Sequence, residues 1–244
     1  MHRLLALPLL IAVSMGAKLP EDVPIPKEAP RHTQTLGDNI PASGTRPAPA
    51  LPGITASKAN ETALAHCEAE LRKLGSVFER EDPVRGEDGC GIDAPYRVDQ
   101  IVPGVSLFPA SQLRCATALA LARWTGTVVV PLAEALPGDV TLTRINHGST
   151  YICRRRNNAA SGKMSEHAIG NAIDITDFEF SGRDPIAVSP RSGDGTVEEA
   201  FQRAVRGAAC LHFTTVIGPG TNASHANHLH LDIIKRKRDY RLCE

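Results

Sequence analysis

Apolar positions recur along this chain with two different periods, and the two periods predict different elements. Leu64, Cys67, Leu71 and Leu74 fall three or four residues apart, with Gly75 behind them as a stop, which predicts a helix over 57–74. A second helix is predicted over 111–124, with Ser111 as its N-cap and Gly126 closing it. A third is predicted from Thr196 to about Ala209. Thr196 and Glu199 form a T-x-x-E capping box there, and Phe201, Ala204, Val205 and Ala208 make an apolar stripe. Short runs at 127–130, 140–145, 171–176, 213–217 and 228–234 read as strands. Helices and strands do not alternate strictly. The pattern therefore predicts an α+β domain with a small sheet rather than a doubly wound parallel one.

The first 56 residues read differently. His2 and Arg3 precede a short apolar stretch, with small residues near positions 14 to 17, the layout of a secretory signal over 1–17. The alternative reading of the same stretch is an uncleaved membrane anchor. No later segment reads as the ~20 apolar residues of a spanning helix, so the mature protein is expected to lack a transmembrane segment. Residues 18–56 carry eight prolines, no aromatic residue and no sustained apolar period. Such a segment cannot bury enough surface to offset its ordering entropy and reads as a disordered linker. The folded domain is expected over 57–244.

Charge changes this picture little. Lys+Arg and Asp+Glu are equal at 27 each, so no global field recruits nucleic acid or an anionic membrane. The basic runs Arg154–Arg156 and Lys235–Arg238 are local, and the second reads as a solvated face. Cysteine changes it more. Cys67, Cys90, Cys115, Cys153, Cys210 and Cys243 form an even set with no CxxC pair. In an exported chain that predicts disulfides and argues against a cysteine zinc site; about 15 pairings remain open. The expected location is the periplasm or another exported compartment.

Three of the nine histidines fall within six residues, in His225-Ala226-Asn227-His228-Leu229-His230-Leu231-Asp232. On a strand, His228, His230 and Asp232 share one face, while Leu229, Leu231 and Ile233 face the core. Upstream, the stretch Ser165-Glu166-His167-Ala168-Ile169-Gly170-Asn171-Ala172-Ile173-Asp174 holds a second polar cluster. Ile173 and Ile175 point inward there and Asp174 points the other way. Gly170 permits a tight bend, so His167 can fold back beside Asp174. Two imidazoles and a carboxylate suit zinc, with a fourth position left open for water. Spacing alone leaves ordinary surface histidines as the alternative. His147 and His212 read as satisfied core or surface histidines.

SEHAIGNAID fits S-x-H-x-x-G-x-A-x-D. With the later H-x-H it resembles the signature of the zinc peptidase superfamily that holds D-alanyl-D-alanine metallopeptidases, lysostaphin-type enzymes and hedgehog domains. More narrowly, residues 60–244 resemble the extensin-like C-terminal domain family of bacterial exported proteins. The supporting residues are Gly89–Ile92, Ser149–Arg154, Ala208–Cys210, Gly218–Gly220 and Tyr240–Cys243. The resemblance implies a small antiparallel sheet with flanking helices, and zinc held by His167, Asp174 and His230. It implies His228 beside the metal, His225 as a further catalytic histidine, and Arg154 binding a substrate carbonyl or carboxylate. The implied activity is amide hydrolysis in cell-wall peptide crosslinks, with peptidoglycan stem peptides as partners.

One position departs from the family pattern. Peptidases of this superfamily commonly carry Asp or Glu three residues before the last ligand, and Asn227 stands there. An amide cannot take a proton near neutral pH. His228 or His225 can serve as base, Glu166 or Asp232 can substitute, or the domain binds zinc and peptide without efficient turnover. Ser165 is expected to support a ligand from behind rather than to attack substrate.

Overall fold

The computed structural model describes residues 60–156 and 159–244. The expected leader (1–17), the proline-rich segment (18–56) and the first residues of the expected domain lie outside the described residues. The first helix, α1 (Glu61–Lys73), is capped by Asn60, whose side-chain oxygen accepts from the Ala63 amide at 3.2 Å. Leu71 is fully buried on its inner face, and Gly75 follows at φ +77°.

The second helix, α2 (Cys115–Trp124), starts later than its sequence suggests. Ser111 does not cap it. That side chain is buried and accepts from the Val98 amide at 3.2 Å, and strand β6 (Leu113–Arg114) intervenes. Nor does the helix stop at Gly126. It widens into a π-turn over Thr125–Val129 and continues as α3 (Val130–Glu134), so the expected strand at 127–130 is helical. The run Thr127-Val128-Val129-Val130 is β-branched and favours a strand locally. Tertiary packing overrides that preference by burying Val129, and the Thr127 hydroxyl donates back to the Arg123 carbonyl at 2.7 Å. By length and composition Cys115–Glu134 passes for a membrane span, contrary to the sequence reading. Its apolarity has a local explanation: Leu121, Ala122, Trp124 and Val129 are fully buried in the core.

The domain is α+β, and its sheet is larger than expected. Ten strands join in one network. The path runs β1 (Val77–Arg80), β4 (Pro95–Val102), β5 (Val105–Phe108), β7 (Thr141–Ser149), β8 (Ala172–Ser181), β11 (Leu229–Asp232), β10 (Thr215–Ile217) and β12 (Leu242–Cys243). Strand β6 adds to β4, and β9 (Ile186–Ala187) adds to β8; β2 (Val84–Arg85) and β3 (Gly91–Ile92) pair separately. Pairing is antiparallel except at β5–β7 and β10–β12.

One face of the central strands is apolar. Ile173, Ile175 and Phe178 of β8 and Leu229 and Leu231 of β11 are fully buried in a core shared with α2 and with α4 (Val197–Ala209). Trp124 stacks edge-on against Phe213, and its indole N–H donates to the Val205 carbonyl at 3.1 Å. Thr196 caps α4 as expected, accepting from the Glu199 amide at 3.2 Å. The Glu199 carboxylate reaches back to the Gly195 amide instead of the cap's own.

All six cysteines pair: Cys67–Cys115, Cys90–Cys153 and Cys210–Cys243. The first ties α1 to the start of α2, and the third ties the end of α4 to β12. Each closes a loop of 33 to 63 residues and so restricts the unfolded chain.

Candidate metal centre

Burying Ile173, Ile175, Leu229 and Leu231 on one face fixes the register of β8 against β11, because a one-residue slip would turn every side chain over. In that register His230 lies directly opposite Asp174, on the face away from the core. On the other side of β8, Ser149 of β7 is also opposite Asp174. Ser149, Asp174 and His230 thus form a row across three strands.

His167 arrives from a different element. A 3-10 turn, Glu166–Ile169, is capped by Ser165, whose hydroxyl oxygen accepts from the His167 amide at 3.4 Å. Gly170 ends the turn at φ +69°, a left-handed conformation that glycine adopts without strain. The chain then reverses into β8, and the fully buried His167 faces Asp174. Gly170 also allows close packing: a Cβ there would sit 2.5 Å from Ile92 Cδ1.

The three side chains meet at His167 Nε2, His230 Nδ1 and Asp174 Oδ1. The nitrogens are 3.1 Å apart, and the carboxylate oxygen lies 3.2 Å from His167 and 2.9 Å from His230. Four-coordinate zinc with ligands at about 2.0–2.1 Å has ligand–ligand edges near 3.3 Å, so this triangle has the size of one tetrahedral face. Two imidazole nitrogens and one carboxylate oxygen are also the right donor types. Among the described residues these three form the group able to hold a metal ion.

Each of the three is held from behind. His167 Nδ1–H donates to the Thr150 carbonyl at 2.7 Å, which leaves Nε2 as the free lone pair. His230 Nε2 bonds Asp232 Oδ2 at 3.2 Å, turning Nδ1 toward the cluster. The Ser149 hydroxyl donates to Asp174 Oδ2 at 2.6 Å and leaves Oδ1 to the histidines. Partners of this kind fix the tautomer and ring orientation of metal-binding side chains.

The electrostatics follow from this packing. Burial alone would raise Asp174, yet hydrogen bonds from His167 and His230 hold its carboxyl far below the usual range. Burial likewise opposes charge on His230, but hydrogen bonds to Asp174 and Asp232 push its imidazole up to about 9. Asp232 is buried too and is held below its ordinary value by His230 and Thr215. His228 and His225 move the other way: burial lowers both, with the neighbouring charges of His230 and Arg154 adding to it.

The remaining predicted residues divide. His228 Nε2 lies 3.6 Å from Asp174 Oδ1, at the edge of the cluster, and its Nδ1–H donates to Asn227 Oδ1 at 3.0 Å. His225 packs against His228 with the rings tilted at 56° and their centres 5.2 Å apart, and its Nδ1–H donates to Asn222 Oδ1 at 2.7 Å. Asn227 therefore orients His228. Arg154 is half-buried and borders a cavity of about 240 Å³ together with His225 and His230. Glu166 and Asp232, the two carboxylates expected as substitute bases, are both committed. Glu166 is buried against Asn171 and Arg156, and Asp232 accepts from His230 and from the Ile234 amide.

His147 and His212 lie outside the triangle. His147 Nε2 bonds the Pro109 carbonyl at 2.8 Å, and His212 Nε2 lies 3.3 Å from the Thr127 hydroxyl. The run 235–238 is not simply a solvated face, because Arg236 is half-buried and donates to the Thr214 carbonyl and the Thr215 hydroxyl, each at 2.6 Å. Sequence reasoning missed Ser149, the Thr150 carbonyl, Thr215 and Arg236. Ser149 and Thr150 lie inside a stretch that carried the family resemblance; nothing in the sequence marked Thr215.

Residues 65–244 match the family described as "Extensin-like protein C-terminus", well over half of the chain. No curated protein and no solved structure matches it.

Proposed function

We propose that this chain, which belongs to the extensin-like protein C-terminus family, is a zinc-dependent peptidase of the bacterial envelope that hydrolyses amide bonds in peptidoglycan stem peptides. The observation that carries the reading is the triangle of His167 Nε2, His230 Nδ1 and Asp174 Oδ1, zinc-sized and braced behind each ligand. Its likeness to the D-alanyl-D-alanine peptidase, lysostaphin and hedgehog superfamily rests on the same residues, in H-x₆-D and H-x-H. The three disulfides suit an exported, oxidising location.

A zinc ion held by these residues supplies Lewis acidity, which polarises a carbonyl and lowers the pKa of water to about 7. The chain's own residues supply the rest. Asn227 and Asn222 each take the Nδ1 proton of a histidine, so His228 and His225 both present Nε2 as an acceptor. His228 lies 3.6 Å from Asp174 and is assigned the proton-accepting role, with His225 packed at a tilt beside it. Arg154, on the cavity wall, is placed to hold a substrate carbonyl or carboxylate.

A second reading has one observation in its favour. No carboxylate occupies the usual base position, and Glu166 and Asp232 are tied up elsewhere, so the domain could bind zinc and stem peptide without turning it over. Two measurements decide. Zinc content of the purified domain should be near one per chain and be lost in His167→Ala and Asp174→Ala; unchanged zinc in both would sink the ligand assignment. Zinc-loaded protein incubated with muropeptides should release cleaved products by mass spectrometry, and His228→Ala should keep its zinc but lose about 10²-fold or more in rate. A native protein that cuts nothing, paired with an Asn227→Asp variant that does, favours the binding module.

A further inference from the structure

The cavity beside the ligands carries an imbalance that hydrolysis by itself does not explain. Its walls present three arginines, Arg154, Arg156 and Arg236, against two carboxylates, Glu166 and Asp232. Both carboxylates are satisfied inside the protein. Glu166 faces Arg156 and Asn171; Asp232 accepts from His230 Nε2, the Ile234 amide and the Thr215 hydroxyl. Arg236 makes no salt bridge among the described residues, yet it is not loose. Its two terminal nitrogens donate to the Thr214 carbonyl and the Thr215 hydroxyl at 2.6 Å. A guanidinium has about five N–H donors, so about three remain for a ligand. Because the fork is already pinned, little conformational entropy is lost when those donors are used.

Thr215 links this arginine to the metal ligands. Its hydroxyl oxygen accepts from Arg236, and on β10 it lies directly opposite Asp232, which holds His230. Thr214 and Thr215 thus hold Arg236 at the cavity wall.

We propose that Arg236 is a specificity-determining residue that receives a carboxylate of the substrate, on the cavity wall shared with Ile217 and Leu242, in addition to any group held by Arg154. This deepens the proposed function and rests on it for the identity of the peptide. The substrate class is then a peptide with a free carboxylate beside the bond that faces the metal site. Amidation of that carboxylate removes the charge that Arg236 reads.

The test measures binding rather than turnover. The zinc-loaded full chain is titrated calorimetrically with a synthetic stem tetrapeptide bearing free carboxylates, and with the same peptide fully amidated. The unaltered protein should prefer the free form by about tenfold or more, as expected for a charge-assisted bidentate contact. Arg236→Gln should lose most of that preference, and Arg236→Lys, which keeps the charge but not the fork, should recover part of it. Thermal melts and zinc content establish that each variant is folded and loaded. Should Arg236→Gln fail to fold, the Lys variant and the unaltered protein carry the comparison. An unaltered protein that binds both peptides equally, a Gln variant with the full preference, or a folded Lys variant indistinguishable from the unaltered protein overturns the proposal. A preference without any cleavage would leave the Arg236 assignment standing and defeat the peptidase reading; cleavage without preference does the reverse.

Discussion

Gly170 couples the fold to the candidate metal site, and replacing it with alanine gives a sharp test. The residue sits at φ +69°, where an L side chain costs about 1–2 kcal/mol. The new methyl would also lie 2.5 Å from Ile92 Cδ1 and 3.0 Å from Ile92 Cγ1. Ile92 is fully buried, so relieving that overlap costs a further ~1–3 kcal/mol. Gly170→Ala should therefore destabilise the oxidised domain by about 2–5 kcal/mol in urea unfolding. Ile92 Cδ1 is the atom in closest contact, so a double-mutant cycle checks the clash. Ile92→Val removes Cδ1 and alone should cost about 0.5–1.5 kcal/mol. In the Gly170→Ala background the same change should cost nothing or stabilise, giving a coupling energy of ~1 kcal/mol or more. Strict additivity within about 0.3 kcal/mol would refute the packing argument. The turn also carries His167, so zinc affinity should fall in Gly170→Ala and partly return in the double variant.

Two further outcomes follow from the same geometry. His230 is raised to about 9 in the metal-free domain, so it contributes stability that is full below the ordinary imidazole value of about 6.5 and is lost as pH rises through 9. Its Nδ1 must lose that proton to bind metal; calorimetry of zinc binding at pH 7.5 in buffers of different ionisation enthalpy should show at least about one proton released, and none released would contradict the assignment. Replacing Cys67 and Cys115 together by alanine frees a 48-residue separation and should lower stability by up to about 4 kcal/mol, read as a lower urea midpoint; an unchanged midpoint would remove the bridge from the account of stability.

Much of the site was legible in the chain because it is written at short range. Leu229, Leu231 and their polar neighbours alternate with a strand's period, which put His228, His230 and Asp232 on one face before any partner strand was known. Gly170 announced a reversal between His167 and Asp174, and the structure places the two within hydrogen-bonding distance. Thr196 marked the start of α4. Local preference and tertiary packing disagree in two places. Residues 127–130 favour a strand by side-chain shape, and burial of Val129 keeps them helical. Ser111 has the chemistry of a cap but is spent on the Val98 amide. Strands β2, β3 and β6 have two residues each, too few to show a period, and β4 loses its alternation after Asp99, where Gln100 precedes the buried pair Ile101 and Val102.

The sequence by itself determined which residues could hold a metal, that the cysteines would pair, and that the domain would mix helices with a sheet. Each of these follows from residue type and local spacing. Only the tertiary structure decided how the pieces meet: the row Ser149–Asp174–His230 across three strands, the Thr150 carbonyl behind His167, and the line from His230 through Asp232 and Thr215 to Arg236. Apart from His230–Asp232, within one strand, those contacts join residues 17 to 56 positions apart, and no local period encodes them. They are set by strand register, which depends on burying one apolar face against helices folded elsewhere in the chain.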